Sequence, residues 1–347
     1  MSRMKAVVKQ TAAPGLALAD VEVPKIGPDD VLVRVQATSI CGTDLHILNW
    51  DTWAQSQMKP PVVIGHELAG EIAEVGSRVT RFKVGDRVAV ESHVACGSCA
   101  QCTHGMRHIC DNLQIIGVHR NGSFADFISI PAACAWKISP GMPPEVATLM
   151  EPMGNAVHAV SAAGVKGRTV AVFGCGPAGL FAINCARAHD AAAIYAVDVN
   201  HHRLELAKTM GASETFDGAD PDLAATLAKR AGGHGLDVAF EMSGNITAIV
   251  NAFKALKKGA TFVAFGIPSR PVELDWGNEV ILKGRKVLGI VGRLMFETWE
   301  EMQRLLDSGR LDPRPVITHR HKLAEFETAF ATIQERDSKA GKIVLFP

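Results

Sequence analysis

The most constraining stretch of the chain is a short apolar run, TVAVF, followed at once by Gly174-Cys175-Gly176-Pro177-Ala178-Gly179 and a segment with helical spacing, PAGLFAINCARA. Glycines at this spacing between a strand and a helix permit a tight turn at Gly174, approach of backbone to a pyrophosphate at Gly176, and close helix packing at Gly179. The helix N-terminus adds free N–H groups and the positive end of its dipole. Asp198 closes the next apolar run, AIYAVD, nineteen residues past Gly179, where a carboxylate receives ribose hydroxyls and repels a 2′-phosphate. The pattern favours NAD over NADP. Arg203 is expected against the adenosine edge or in a surface ion pair. Alternation of strand and helix patterns continues through HHRLELAKTM, DVAFEMS, ITAIVNAFKAL and TFVAFG, which predicts a doubly wound parallel sheet and an α/β protein.

The first 150 residues read differently, with short β-type runs such as KAVVK, DVLVRV, GEIAEV and DRVAV punctuated by Gly, Pro and Asp. The last fifty residues hold a helix pattern, FETWEEMQRLL, with Phe296, Trp299, Met302 and Leu306 on one face, and a closing strand, KIVLF. The expected division is a β-rich domain over 1–150 and 296–347 with a nucleotide-binding domain over 151–295. At 347 residues the chain buries a core without staples, so a metal site in it poses a functional question. Lys plus Arg and Asp plus Glu both number 36, which leaves no basic stripe for nucleic acid. No apolar run approaches a membrane span and no signal-type segment opens the chain, so the expected location is the cytoplasm. Eight cysteines there read as metal ligands or reduced thiols rather than a disulfide framework.

Four of them, Cys96, Cys99, Cys102 and Cys110, form C-x2-C-x2-C-x7-C, a set of thiolates for one tetrahedral zinc ion. An iron–sulfur cluster also takes four cysteines, but a closed zinc site that braces a loop is the commoner choice. His104 and His108 within the lobe are expected at the surface. Upstream, ICGTDLH carries Cys41, Thr43 and His46, and GHELAGEIAEVGSRV carries the adjacent pair His66 and Glu67. Cys41, His66 and Glu67 make a mixed sulfur, nitrogen and oxygen set that suits zinc and leaves one position for water or substrate. Singly, a cysteine is usually a small buried apolar residue and a His-Glu pair a surface pair; beside a cofactor motif the catalytic reading prevails.

With these motifs in place, the chain resembles the zinc-containing medium-chain dehydrogenases, which include alcohol and polyol dehydrogenases. The resemblance implies a GroES-like catalytic domain, a Rossmann domain inserted before the C-terminal segment, two zinc ions per subunit and a homotetramer. ICGTDLHILNWDTW, MEPMGNAVH, DVAFEMSGN, GIPS with LDW, and GRLMFETW are similar to the branch that oxidises L-threonine to 2-amino-3-oxobutanoate. Glu151-Pro152 occurs in polyol dehydrogenases too. In this scheme the zinc on Cys41, His66 and Glu67 polarises a secondary hydroxyl of a small alcohol or amino acid, and hydride leaves to NAD. The resemblance implies that Thr43 and His46 relay the proton through the nicotinamide ribose. It places Glu151 near the metal as a transient ligand or proton carrier, against the alternative of a helix N-terminal charge. His93 is a candidate substrate contact or a structural residue at a strand end. Family pattern assigns Ala178, Asp198 and Arg203 to the pyrophosphate and adenosine half, and Phe265, Gly266, Ile267, Ile290 and Val291 to the nicotinamide side. His158, His189, His201, His202, His234 and His319 read as structural or solvated, and Cys134, Cys175 and Cys185 as apolar fillers.

The short-chain dehydrogenase route needs Tyr-x3-Lys, and the only tyrosine, Tyr195, is followed four residues later by Val199. The remaining alternatives are a polyol or 2,3-butanediol dehydrogenase with the same zinc set, and a non-catalytic NAD-binding protein.

Overall fold

The run DVLVRVQATS forms the long strand Asp30–Ser39, because its branched residues suit a pleated surface and most of its side chains are buried. Val31, Val33 and Val35 enter one core with Leu68, Ile72, Val88 and Val90. In the computed structural model, which describes residues 2–335 and 338–347, this strand is the axis of a seven-stranded sheet. Glu67–Val75 lies antiparallel on one side of it. Phe127–Pro131 and Lys342–Phe346 also pair with it antiparallel. Ile317–Lys322 extends the sheet beyond Lys342–Phe346, and Arg87–Val90 and Ala135–Lys137 extend it beyond Glu67–Val75. A separate three-stranded sheet joins Ala17–Glu22, Arg3–Lys9 and Val62–Val63.

The second sheet has six strands in the order Glu214–Asp217, Ala193–Asp198, Thr169–Phe173, Leu236–Glu241, Leu256–Ala264 and Lys286–Gly289, all paired in parallel. Numbered along the chain this is 3-2-1-4-5-6, the doubly wound order in which a crevice opens where the winding reverses, between Thr169–Phe173 and Leu236–Glu241. Those two central strands are buried nearly throughout, as parallel strands covered on both faces must be.

The chain divides into two compact units, Met1–Pro152 with Ile317–Pro347, and Met153–Val316. The second unit runs on past residue 296, the boundary suggested by sequence texture, because the helix Glu297–Asp307 buries Trp299 and Met302 within it. No helix among the described residues is long and apolar enough to cross a membrane.

Candidate metal centres and nucleotide site

The open metal centre is assembled by strand register. Ser39 pairs with Glu67, so Cys41, two residues beyond Ser39, comes beside the His66-Glu67 pair. Gly65 turns the chain into that strand at φ +89°, where a Cβ would lie 2.1 Å from the Phe124 ring, so only glycine fits. One donor atom each from Cys41, His66 and Glu67 lies within 4.8 Å of the other two, a spacing one ion can bridge. Cys41 also caps the helix Gly42–Asn49, and its backbone N–H donates to Asp44 Oδ2 at 2.9 Å. Thr43 and His46 stand on the same helix at i and i+3, and therefore on one face.

The charge around His66 argues for a cation. Burial opposes its charged form, yet the Cys41 sulfur and the Asp44 and Glu151 carboxylates outweigh burial and push its pKa to about 10. Asp44 is fully buried, and desolvation raises its carboxyl to about 6 despite His66. His66 Nδ1 and Asp44 Oδ1 are 3.9 Å apart, and neither has a hydrogen-bond partner among the described residues. Buried anions gathered on one imidazole, with orphaned polar atoms between them, suit a cation, and the sulfur, nitrogen and oxygen donors fit zinc. Asp44 sits where a carboxylate would orient His66 as a metal ligand, a placement no sequence spacing announced.

Glu67 is held from the far end of the chain. Lys342, buried at the start of Lys342–Phe346, donates Nζ to both Glu67 carboxylate oxygens and, at 3.0 Å, to Ile40 O. Ser39 Oγ donates to Glu67 Oε2 as well. Glu151 lies in the first turn of Met150–Ala163, 5% exposed, and accepts from Ser92 Oγ at 2.5 Å. His93, next to Ser92, is on the short strand His93–Val94, and its backbone N–H donates to Glu91 Oε1.

The four-cysteine lobe brings Cys96, Cys99, Cys102 and Cys110 into a second group with all four sulfurs within 4.8 Å. Backbone N–H groups of Cys96 and Asn112 donate to Cys110 Sγ at 3.3 Å. N–H bonds from Ser98 and Cys99 pull the Cys96 thiol down to about 5, whereas burial and the neighbouring sulfurs push Cys102 up to about 12. Four sulfurs so close cannot all ionise without a cation among them, and the set fits a closed zinc site. All eight cysteines are free, and Cys134, Cys175 and Cys185 are buried, with burial raising their thiol pKa values.

In the second unit the glycine motif spans the end of Thr169–Phe173 and the start of the helix Pro177–Ala188. A Cβ on Gly179 would lie 1.8 Å from Gly174 O, while one on Gly176 would meet nothing within 4 Å, which leaves room over the helix N-terminus for a diphosphate. Asp198 Oδ2 accepts from Cys175 N at 2.6 Å and Oδ1 from Asn200 N at 2.8 Å, so this carboxylate organises the loop where a ribose would lie. Ala178 is in the first turn of that helix. Arg203, in His201–Met210, keeps a buried Nε without a partner among the described residues. On the other side of the crevice, Phe265 and Gly266 donate backbone N–H to Glu241 O, Ile290 is buried, and Ile267 and Val291 are exposed. Glu241, unmarked in the sequence, accepts from Ser243 N, Ser243 Oγ and Gly244 N and so shapes the loop facing Gly174. Its signal was positional: an acid closing a central strand just before Ser-Gly.

Two metal-fitting clusters in a GroES-like unit and a dinucleotide crevice in a doubly wound unit define a zinc-dependent nicotinamide oxidoreductase. Residues 27–140 match the alcohol dehydrogenase GroES-like domain and residues 177–308 the zinc-binding dehydrogenase domain, and the chain belongs to this zinc-binding alcohol dehydrogenase family. Among its relatives, the L-threonine 3-dehydrogenase of Bacillus licheniformis is 44% identical over 99% of both chains. A zinc-binding dehydrogenase of Sinorhizobium meliloti 1021, bound to NADP, superposes with a TM-score of 0.92 at 30% identity over 100% of both chains. The 2R,3R-butanediol dehydrogenase of Bacillus subtilis gives 0.89 at 30% identity over 99% of both.

Proposed function

We propose that the protein oxidises L-threonine at its secondary hydroxyl to 2-amino-3-oxobutanoate with NAD as acceptor. The observation that carries the substrate is the 44% identity to an L-threonine 3-dehydrogenase along 99% of both chains. The donor chemistry of the open site supports the reaction class. Cys41, His66 and Glu67 would hold zinc, with Glu151 in reserve as a transient ligand or proton carrier. When bound, zinc supplies Lewis acidity toward the hydroxyl oxygen and the nicotinamide ring takes up hydride. Thr43 orients the substrate hydroxyl and begins the path along which its proton leaves, and His46 carries that proton toward water. His93, beside Ser92, contacts substrate in this reading. Gly174, Gly176, Ala178 and Gly179 would cradle the diphosphate, Asp198 and Arg203 the adenosine half, and Phe265, Gly266, Ile267, Ile290 and Val291 the nicotinamide side. Asp198 at the ribose position supports NAD over NADP. One zinc at each cysteine-containing cluster gives two per chain.

The second reading, a 2,3-butanediol or polyol dehydrogenase, has the structural likeness to the butanediol enzyme in its favour. NADH formation with L-threonine, 2,3-butanediol and sorbitol, before and after chelation and with NADP as control, separates the two. Threonine turnover that disappears on chelation supports the proposal; turnover confined to a diol or polyol overturns the substrate. We also place the protein in the cytoplasm, where eight free thiols stay reduced, as a homotetramer. The edge strand Lys286–Gly289 and the exposed Trp276, Ile281, Leu282 and Val287 offer a surface for a second copy. A mass from light scattering tests the assembly.

A further inference from the structure

His46 stands in the helix Gly42–Asn49, whose N-cap is Cys41, and its environment is more deliberate than a solvated histidine requires. The helix Gly42–Asn49 ends at Trp50, which adopts φ 53°, ψ 46°, a left-handed turn that a bulky residue enters only when its surroundings hold it there. The Lys9 ammonium, 4.8 Å from the Trp50 ring centroid and itself bonded to the carbonyls of Ala13 and Gly15, supplies that hold. The reversal carries Asp51 back over the last turn of the helix, with Asp51 N–H donating to His46 O. Asp51 Oδ2 then lies 2.5 Å from His46 Nδ1, and its other oxygen accepts from Ala54 N at 3.0 Å, capping the helix Thr52–Gln57. The Trp53 ring, 5.7 Å from the imidazole, stands beside it.

The two oxygens of Asp51 thus have separate tasks. Although burial works against its charge, the Ala54 N–H and His46 hold the carboxyl below its ordinary range, so it is ionised at neutral pH and accepts only. The Nδ1 of His46 must therefore be the donor. A neutral imidazole with its proton on Nδ1 has its lone pair on Nε2. We propose that Asp51 is a positioning residue for the proton exit: it fixes His46 in the tautomer whose Nε2 accepts the proton leaving the site. The His46 side chain is 55% exposed and that of Asp51 39%, which suits a base that receives a proton on one side and releases it to water. This rests on the reading of His46 as the relay, and it names the residue that makes the relay directional.

Three substitutions in the full-length, zinc-loaded protein separate this role from the cap. Asp51→Asn keeps an oxygen for Ala54 N but turns a donating amide toward Nδ1, which forces the proton onto Nε2. Asp51→Ser keeps a cap and removes the acceptor. Asp51→Glu offers the carboxylate again. Solid-state nitrogen NMR of sedimented, histidine-labelled protein, with His46 assigned by its loss in His46→Gln, reads the tautomer without turnover. The expected result is an Nδ1-protonated ring in the parent, inverted in Asp51→Asn, with kcat down about 100-fold, within the range a general base contributes, and KM little changed. Asp51→Ser should fall less and Asp51→Glu recover part of the rate. An Nε2-protonated ring in the parent overturns the proposal, as does an inverted ring in Asp51→Asn with undiminished kcat. It is likewise overturned if kcat follows melting temperature across the three variants. Unchanged turnover in His46→Ala with the tautomer as expected would instead remove the relay reading itself.

Discussion

A buried cation beside the Glu67 carboxylate is the residue-scale feature with the clearest energetic consequence. Lys342 is 3% exposed and Glu67 fully buried, so removing the ammonium leaves a charge in a medium that solvates it poorly. Lys342→Met should cost about 3 kcal/mol in chelated protein. With zinc present the loss should shrink, because the cation takes over neutralisation of Glu67. Urea midpoints with and without chelator read the difference, and equal losses in both would mean that Glu67 does not feel the metal. At Gly179 the constraint is steric. An alanine there would press on Gly174 O, and the loop must move out of register with its ligand. Gly179→Ala should weaken NADH binding at least tenfold, about 1.4 kcal/mol, in a fluorescence titration while the metal content stays unchanged. These two residues differ in how legible they were. Gly179 announces itself through spacing because its constraint is local. Lys342 does not, because its partner is 275 positions away and meets it only through the pairing of both segments with Asp30–Ser39.

At the scale of elements, strand and helix alternation from Thr169 onward carried the doubly wound sheet in plain view, since each parallel strand is a short apolar run between helices. What it hid was how helices lock together. His189 caps Pro177–Ala188 and donates to Cys185 O and to Glu301 on Glu297–Asp307, while Ser161 Oγ also donates to Glu301. Read from sequence as structural or solvated, His189 ties two helices by a charged pair. The hydrogen bond with Glu301 raises the His189 pKa, and the same bond lowers that of Glu301. A raised histidine stabilises fully below its unfolded value, about 6.5, and loses this as pH rises through its folded value. A depressed carboxylate stabilises fully above its unfolded value, about 4.3, and loses this as pH falls through its folded value. The pair therefore contributes most between those unfolded values. Glu301→Gln should cost about 1 kcal/mol at pH 5.5, screened by its partial exposure, and less at pH 9. A loss that is the same at both would show that the pair acts through packing alone.

For the whole molecule, the two metal clusters should differ in what depends on them. The lobe of Cys96, Cys99, Cys102 and Cys110 is built of short turns around sulfur, with two-residue strands on either side, and has little apolar core of its own. Such a segment would draw its folding energy from an ion bound there. The seven-stranded sheet and the doubly wound sheet have their own cores and do not need it. Loss of the lobe metal should consequently be a local event. Cys102→Ser is expected to remove one zinc per chain by elemental analysis, open the 96–110 segment to protease, and lower the melting temperature by a few degrees, with NADH binding retained. His66→Ala should remove the other zinc and abolish turnover while leaving the lobe resistant to protease. The two variants thus form a crossed pair, each losing what the other keeps. If Cys102→Ser instead unfolded cooperatively and lost NADH binding with the same midpoint, the lobe would belong to the main folding unit, and the closed site would be holding the molecule together and not only a loop.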